Sequence, residues 1–173
     1  MRMENNELVF NVTREKFVSV MTIIGNVLLF LAIGVMLYAA ITEPSFTYIS
    51  GAFILLMVVI CLFTYLEAPK RVMLTDDAIV LYKVRGRLVL PFGGIKSIRE
   101  YPSLKGVRLC GSGGLYGFIG YFYDKEIGRH LRYVGNHDEA FLIELKSGKK
   151  YVLSCENSGH VIEFVRDKLR TEA

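Results

Sequence analysis

Apolar positions along this chain fall into two regimes. Residues 17–41 and 48–66 are continuous apolar runs that contain no Asp, Glu, Lys, Arg or His. At ~1.5 Å per helical residue they span roughly 37 and 28 Å, against about 30 Å for the hydrocarbon core of a bilayer. Both runs are long enough to cross a membrane, which predicts a hairpin of two transmembrane helices joined by a short loop around Glu43 and Pro44. The first run is too long for the apolar stretch of a signal peptide, no A-x-A site follows it, and a second run comes soon after.

Beyond Pro69 the pattern changes to short apolar segments separated by turn residues, the signature of a β-rich domain. Strands are expected over residues 70–74, 78–83, 87–91, 96–101, 130–134, 140–146 and 150–154. Thr75-Asp76-Asp77, Arg85-Gly86 and Ser147-Gly148 supply turns. A glycine-rich stretch, 106–128, interrupts the series. The chain closes with an amphipathic helix from about Ser158, a candidate N-cap. Its apolar stripe is Val161, Ile162, Phe164, Val165 and Leu169, opposed by Glu163, Arg166 and Lys168. The expected fold is therefore a membrane α-helical hairpin plus a mainly β domain. That domain is a seven-stranded bent sheet or open barrel capped by the C-terminal helix. Whether residues 8–12 add a further strand or lie along the membrane is left open by the pattern.

Charge placement orients the hairpin. Arg2, Arg14 and Lys16 precede the first run, Lys70 and Arg71 follow the second, and the loop 42–47 carries no Lys or Arg. The positive-inside rule then puts both ends in the cytoplasm. This divides the chain into a cytoplasmic segment 1–16, a membrane hairpin 17–66 and a cytoplasmic domain 68–173, all at the cytoplasmic (inner) membrane. The net charge of +4 suits a neighbour of anionic lipid and is too small to establish lipid binding. No feature points to nucleic acid. Three scattered cysteines, Cys61, Cys110 and Cys155, have neither disulfide nor zinc-site spacing. Transport is disfavoured, because ion paths need ionisable groups within the spans. The intramembrane polar residues Thr22, Asn26 and Thr64 are read as packing groups, with Gly25 beside Asn26 permitting close helix contact.

The strand order, together with Arg71-Val72-Met73-Leu74-Thr75-Asp76-Asp77, the turn into Leu88-Val89-Leu90-Pro91 and the run from Arg108 to Gly117 continued by Gly120-Tyr121-Phe122-Tyr123, resembles the pleckstrin-homology-like fold. With two preceding spans the chain is similar to small bacterial membrane proteins that carry a bacterial PH domain. The resemblance covers roughly 68–169. It implies fold and membrane association and supplies no catalytic residues.

The glycine-rich stretch is not a nucleotide loop. A Walker A motif needs a lysine and a hydroxyl after its last glycine, and a dinucleotide fingerprint needs glycine where Tyr116 stands. Two readings fit it. Either the glycines relieve a tight bulged loop whose aromatics cap the sheet, or Leu115, Tyr116, Phe118, Tyr121 and Phe122 meet the headgroup zone or a partner. Lys83, Arg85 and Arg87 have i, i+2, i+4 spacing and would share one face if strand geometry persisted through the turn. They are either an anionic-lipid contact or a solvated hairpin tip. Asp124, Glu126, His130, His137, Asp138 and Glu139 carry no metal-site or catalytic spacing and are expected to be exposed turn residues.

The expected function is a non-enzymatic protein-interaction or self-assembly module held at the membrane, with no cofactor, metal or small-molecule substrate. The alternative is a sensor of anionic lipid surfaces using the basic turn and the aromatic loop.

Overall fold

The computed structural model describes residues 2–4, 7–43, 45, 47–101 and 106–171. Two long helices, α1 (Lys16–Thr42) and α2 (Thr47–Leu66), pack side by side. Each is long and apolar enough to cross a membrane. With few polar side chains to compete, the backbone satisfies itself as helix. The threonines fold their hydroxyls onto the preceding turn, Thr22 to the Val18 carbonyl at 2.7 Å and Thr64 to Ile60 at 2.8 Å. Glu43 follows α1 as its cap residue; Pro44 lies outside the described residues.

The helix pair is a long excursion between two adjacent strands. β1 (Arg2–Glu4), β2 (Glu7–Asn11), β3 (Pro69–Leu74), β4 (Ala78–Lys83) and β5 (Arg87–Pro91) form one antiparallel sheet in that order. β2 pairs β3 with Phe10 opposite Val72, so the chain leaves this sheet after Asn11, runs through both helices and returns beside its departure point. The run 8–12 thus contributes a strand, the alternative that patterning left open.

A 3-10 turn (Phe92–Gly94) leads into the second sheet. This sheet is built from β6 (Ile95–Glu100), β7 (Val107–Gly113), β8 (Phe118–Asp124), β9 (Gly128–Val134), β10 (Ala140–Leu145) and β11 (Lys150–Ser154), in the order β6-β10-β11-β9-β8-β7. Among the described strands its one parallel pair is β11 with β9, Leu153 opposite Tyr133. The core lies between the sheets and α3 (Ser158–Thr171), around Phe10, Val72, Ile79, Leu81, Phe92, Ile143 and Leu153. Val161, Ile162 and Val165 of α3 complete it, each such side chain contributing about 1.5–3 kcal/mol on full burial.

Three expectations are corrected. Across 68–173 the described strands number nine where seven are expected, and with β1 and β2 they form two sheets. The stretch 106–128 does not interrupt the sheet: it forms the β7–β8 hairpin and the turn into β9. Its glycines permit close strand approach. Gly111 and Gly120 pair across the hairpin at φ 122° and 120°, and a Cβ on either would fall within 2.2 Å of a backbone carbonyl oxygen of the facing strand. Finally, Ser158 is the first residue inside α3, and Asn157, in the left-handed region at φ 53°, stands before it.

Candidate functional site

The tip of the β7–β8 hairpin is wedged against both long helices. Gly114 N–H donates to the Gly117 carbonyl at 3.1 Å and Ser112 Oγ to Leu115 at 2.7 Å, closing a tight turn with Tyr116 at φ 60°. Tyr116 N–H donates to Thr22 Oγ1 of α1 at 2.9 Å, and its hydroxyl donates to Asn26 Oδ1 at 2.9 Å. The same hydroxyl lies 3.5 Å from Cys61 Sγ of α2, and the Tyr65 ring meets the Tyr116 ring edge-on at 5.3 Å. Gly25 makes room for Leu115, whose Cδ1 would sit 2.8 Å from a Cβ there. Gly114 approaches Phe17 in the same way. By helical rise, Thr22 and Asn26 lie about 9 and 15 Å along α1 from its start at Lys16. The tip therefore penetrates well beyond the end of the helix pair. Asn26 Oδ1 also accepts from Cys61 Sγ of α2 at 3.9 Å, so Asn26 serves the expected helix–helix contact as well as the hairpin, whereas the space at Gly25 is taken by the hairpin's Leu115.

Below the tip, the domain grips both helix ends. At the end of α2, Glu67 accepts from Lys83 Nζ at 2.7 Å and from the Tyr133 hydroxyl at 3.1 Å. Burial, reinforced by the Glu67 carboxylate, raises the pKa of Tyr133. Arg85 N–H donates to the Leu66 carbonyl and Val84 N–H to Ala68, both at 2.9 Å, so the β4–β5 turn is bonded to the last turn of α2. At the start of α1, Glu15 N–H donates to the Gly135 carbonyl at 3.0 Å, and the Glu15 carboxylate lies 3.1 Å from His137 Nδ1. Thr13 hydroxyl bonds the Glu139 carboxylate. His137 is buried beside the Phe118 ring, centroids 4.1 Å apart, and Phe118 in turn stacks on Phe17 of α1 at 6.1 Å.

The domain carrying these contacts matches a family model. The model, described as Bacterial PH domain, covers residues 70–169, more than half of the chain. The chain belongs to the bacterial PH domain family. No curated protein and no solved structure matches it. The match begins just after α2, yet the bacterial PH domain here also includes β2, supplied from the other side of the helix pair.

Within the bacterial PH domain, the polar residues of the second sheet are internal rather than exposed. Asp124, His130 and His137 are buried; Glu126 and Asp138 are exposed and Glu139 is half-buried. This corrects the expectation of exposed turns: β8 and β9 carry Asp124 and His130 inward, and His137 turns toward Glu15. Asp124 accepts from Glu126 N–H at 2.8 Å and from the Tyr101 hydroxyl at 2.7 Å, bonds that hold its pKa below the ordinary 3.8. Arg132 is fully buried over the Phe122 ring, 4.4 Å from its centroid, and its guanidinium Nη2 lies 3.0 Å from His130 Nε2. That nitrogen then accepts, and Nδ1–H donates to the Gly128 carbonyl at 3.0 Å. Burial lowers the pKa of both His130 and His137 below 6.5. With both ring nitrogens engaged inside the fold, His130 is a structural member of this network.

The eight residues singled out as a contact surface separate into groups. Leu115, Tyr116 and Phe118 face the helices. Tyr121 is exposed with Arg129 stacked over its ring, 4.7 Å from the centroid, and Phe122 is buried under Arg132. Arg85 and Arg87 are exposed, whereas Lys83 turns to Glu67. The tight turn, where Lys83 N–H donates to the Gly86 carbonyl, ends the strand geometry that would have put all three on one face. Thr22 and Cys61, which complete the Tyr116 socket, were not among the eight. The signal for them was polar residues in otherwise apolar runs, the helical counterpart of a glycine-rich tip.

Proposed function

We propose that the chain is a membrane-anchored, non-enzymatic interaction module whose bacterial PH domain is clamped to its own two-helix anchor. The clamp of Tyr116 on Thr22, Asn26 and Cys61 is the observation that carries this reading. It couples the helices to the domain as one body, where a mere tether would need only the two connecting segments. Membrane insertion is supported by the helix surfaces. In each helix only 6% of the most apolar window is buried, unlike a soluble core helix. Basic residues flank the pair at the domain side and are absent from its loop, which favours a cytoplasmic domain and cytoplasmic termini at the inner membrane.

The interaction surface best supported is β7. It is an edge strand of the second sheet, open to pairing, and presents Val107 and Leu109 at 68% and 54% exposure. A photo-crosslinking residue at Leu109, in native membranes, should give a discrete adduct with a second copy or another protein. Val107→Pro should abolish it. A chain that gives no adduct at Leu109 would count against the module reading.

A second reading, contact with anionic lipid, is favoured by the bond that ties the Arg85 backbone to the end of α2. It would hold Arg85 and Arg87 at headgroup height, at about 1 kcal/mol per charge. Fluorescence of a dye on Arg87→Cys in the reconstituted full chain should then respond to anionic lipid fraction and lose that response in high salt. A signal indifferent to both would remove this reading.

A further inference from the structure

The core-facing side of the second sheet continues past the area covered by the first sheet and α3. Along β8 and β9 it presents Ile119 and Tyr121 opposite Tyr133 and Leu131. Two cavities lie on it. One, of about 260 Å³, opens between Phe63 and Thr64 of α2 and the sheet, over Ile119 and the Gly111–Gly120 pair. Among the described residues the one charged side chain in its wall is Glu67, which is already engaged by Lys83 and Tyr133. The other, of about 400 Å³, is bounded by Arg129, Lys149 and Lys150 near the β10–β11 turn.

Tyr121 and Leu131 line both cavities, so the two adjoin at this pair, where the Arg129 guanidinium lies over the Tyr121 ring; we read them as one trough, apolar toward α2 and cationic from Arg129 to Lys149. Lys150 is engaged by the Ile127 carbonyl at 2.8 Å and by Glu144 at 3.6 Å. Arg129 and Lys149 are exposed at the rim. The apolar end is continuous with the outer surface of α2, where Phe63 is 67% exposed. One acyl chain and one terminal anion match this distribution in both polarity and sign.

We propose that the trough binds a single-chain anionic lipid. Its acyl chain lies against Phe63, Ile119 and Leu131, and its headgroup anion lies on Arg129 and Lys149. The site goes beyond the anchored-module reading and rests on the trough alone.

The test uses the full chain in nanodiscs of neutral lipid, with a photoactivatable long-chain fatty acid as probe, the matching fatty alcohol as control, and peptide mapping of the adducts. The acid should label peptides containing Phe63–Thr64 and 119–131, and the alcohol should label them far less. Arg129→Gln with Lys149→Gln should lower trough labelling by the acid roughly tenfold and leave labelling of the outer face of α1 at Phe30 unchanged. Thr64→Trp, which fills the apolar end, should lower it as well. Equal labelling by acid and alcohol, indifference to the double change, or adducts confined to the helix surfaces would overturn the proposal. Absence of the Phe30 adduct would instead speak against membrane insertion.

Discussion

Single residues make the hairpin possible. Gly120 sits at φ 120° with the Cys110 carbonyl oxygen 2.2 Å from where a Cβ would be, so Gly120→Ala combines backbone strain with a clash against main chain. It should destabilise the protein by at least ~2 kcal/mol. Gly86→Ala, at φ 82° with open space around it, should cost only ~1 kcal/mol. Thermal unfolding of the purified full chain in detergent, comparing the two, checks this ranking. His130 and His137 make stability depend on pH. Burial lowers the pKa of each in the folded state, so the unfolded chain binds more protons at acid pH. Their contribution is fully present above the unfolded value of 6.5 and is lost as pH falls from there through the lower folded values. Unfolding followed across that window should show falling stability, and His130→Gln should flatten the slope. A profile unchanged by that substitution would mean that His130 does not set it.

At the scale of elements, the β7–β8 hairpin is an arm reaching from the sheet to the helix pair. Thr22→Val leaves the Tyr116 N–H without its acceptor, and Tyr116→Phe removes the bond to Asn26, each costing on the order of 1 kcal/mol. Hydrogen exchange should therefore quicken at the tip, 114–117, in both variants while the β10–β11 pair stays protected. Uniform acceleration across the sheet would show that the tip is not a separable docking element.

Most other elements were legible in the chain because they obey local rules. The strands β3, β4, β5, β10 and β11 alternate or form short apolar runs between turn signals, and α3 shows its stripe. The hairpin was hidden because glycine lowers strand propensity, and its reason for being there is a neighbour far away in sequence. The same holds for Asn26, visible as an oddity, whose partner Tyr116 is ninety residues distant. The buried Asp124, His130 and Arg132 were unreadable for a related reason: their polarity suggests solvent, and only the assembled sheet supplies the hydrogen bonds that permit burial.

For the whole molecule, the helices grow out of the gap between β2 and β3, and the domain holds the start of α1, the end of α2 and, through the hairpin tip, the flanks of both. The contacts that join the helices to the bacterial PH domain run through Tyr116, Glu67 and Glu15. The tip of the β7–β8 hairpin is sheltered between the two long helices. A cysteine-free full chain reconstituted in liposomes and probed by a membrane-impermeant maleimide tests this arrangement together with the proposed insertion of the helices. Arg85→Cys should be labelled from the domain side, Ser45→Cys only from the opposite side, and Leu115→Cys from neither. Labelling of Leu115→Cys as fast as Arg85→Cys, or of Ser45→Cys from the domain side, would contradict it.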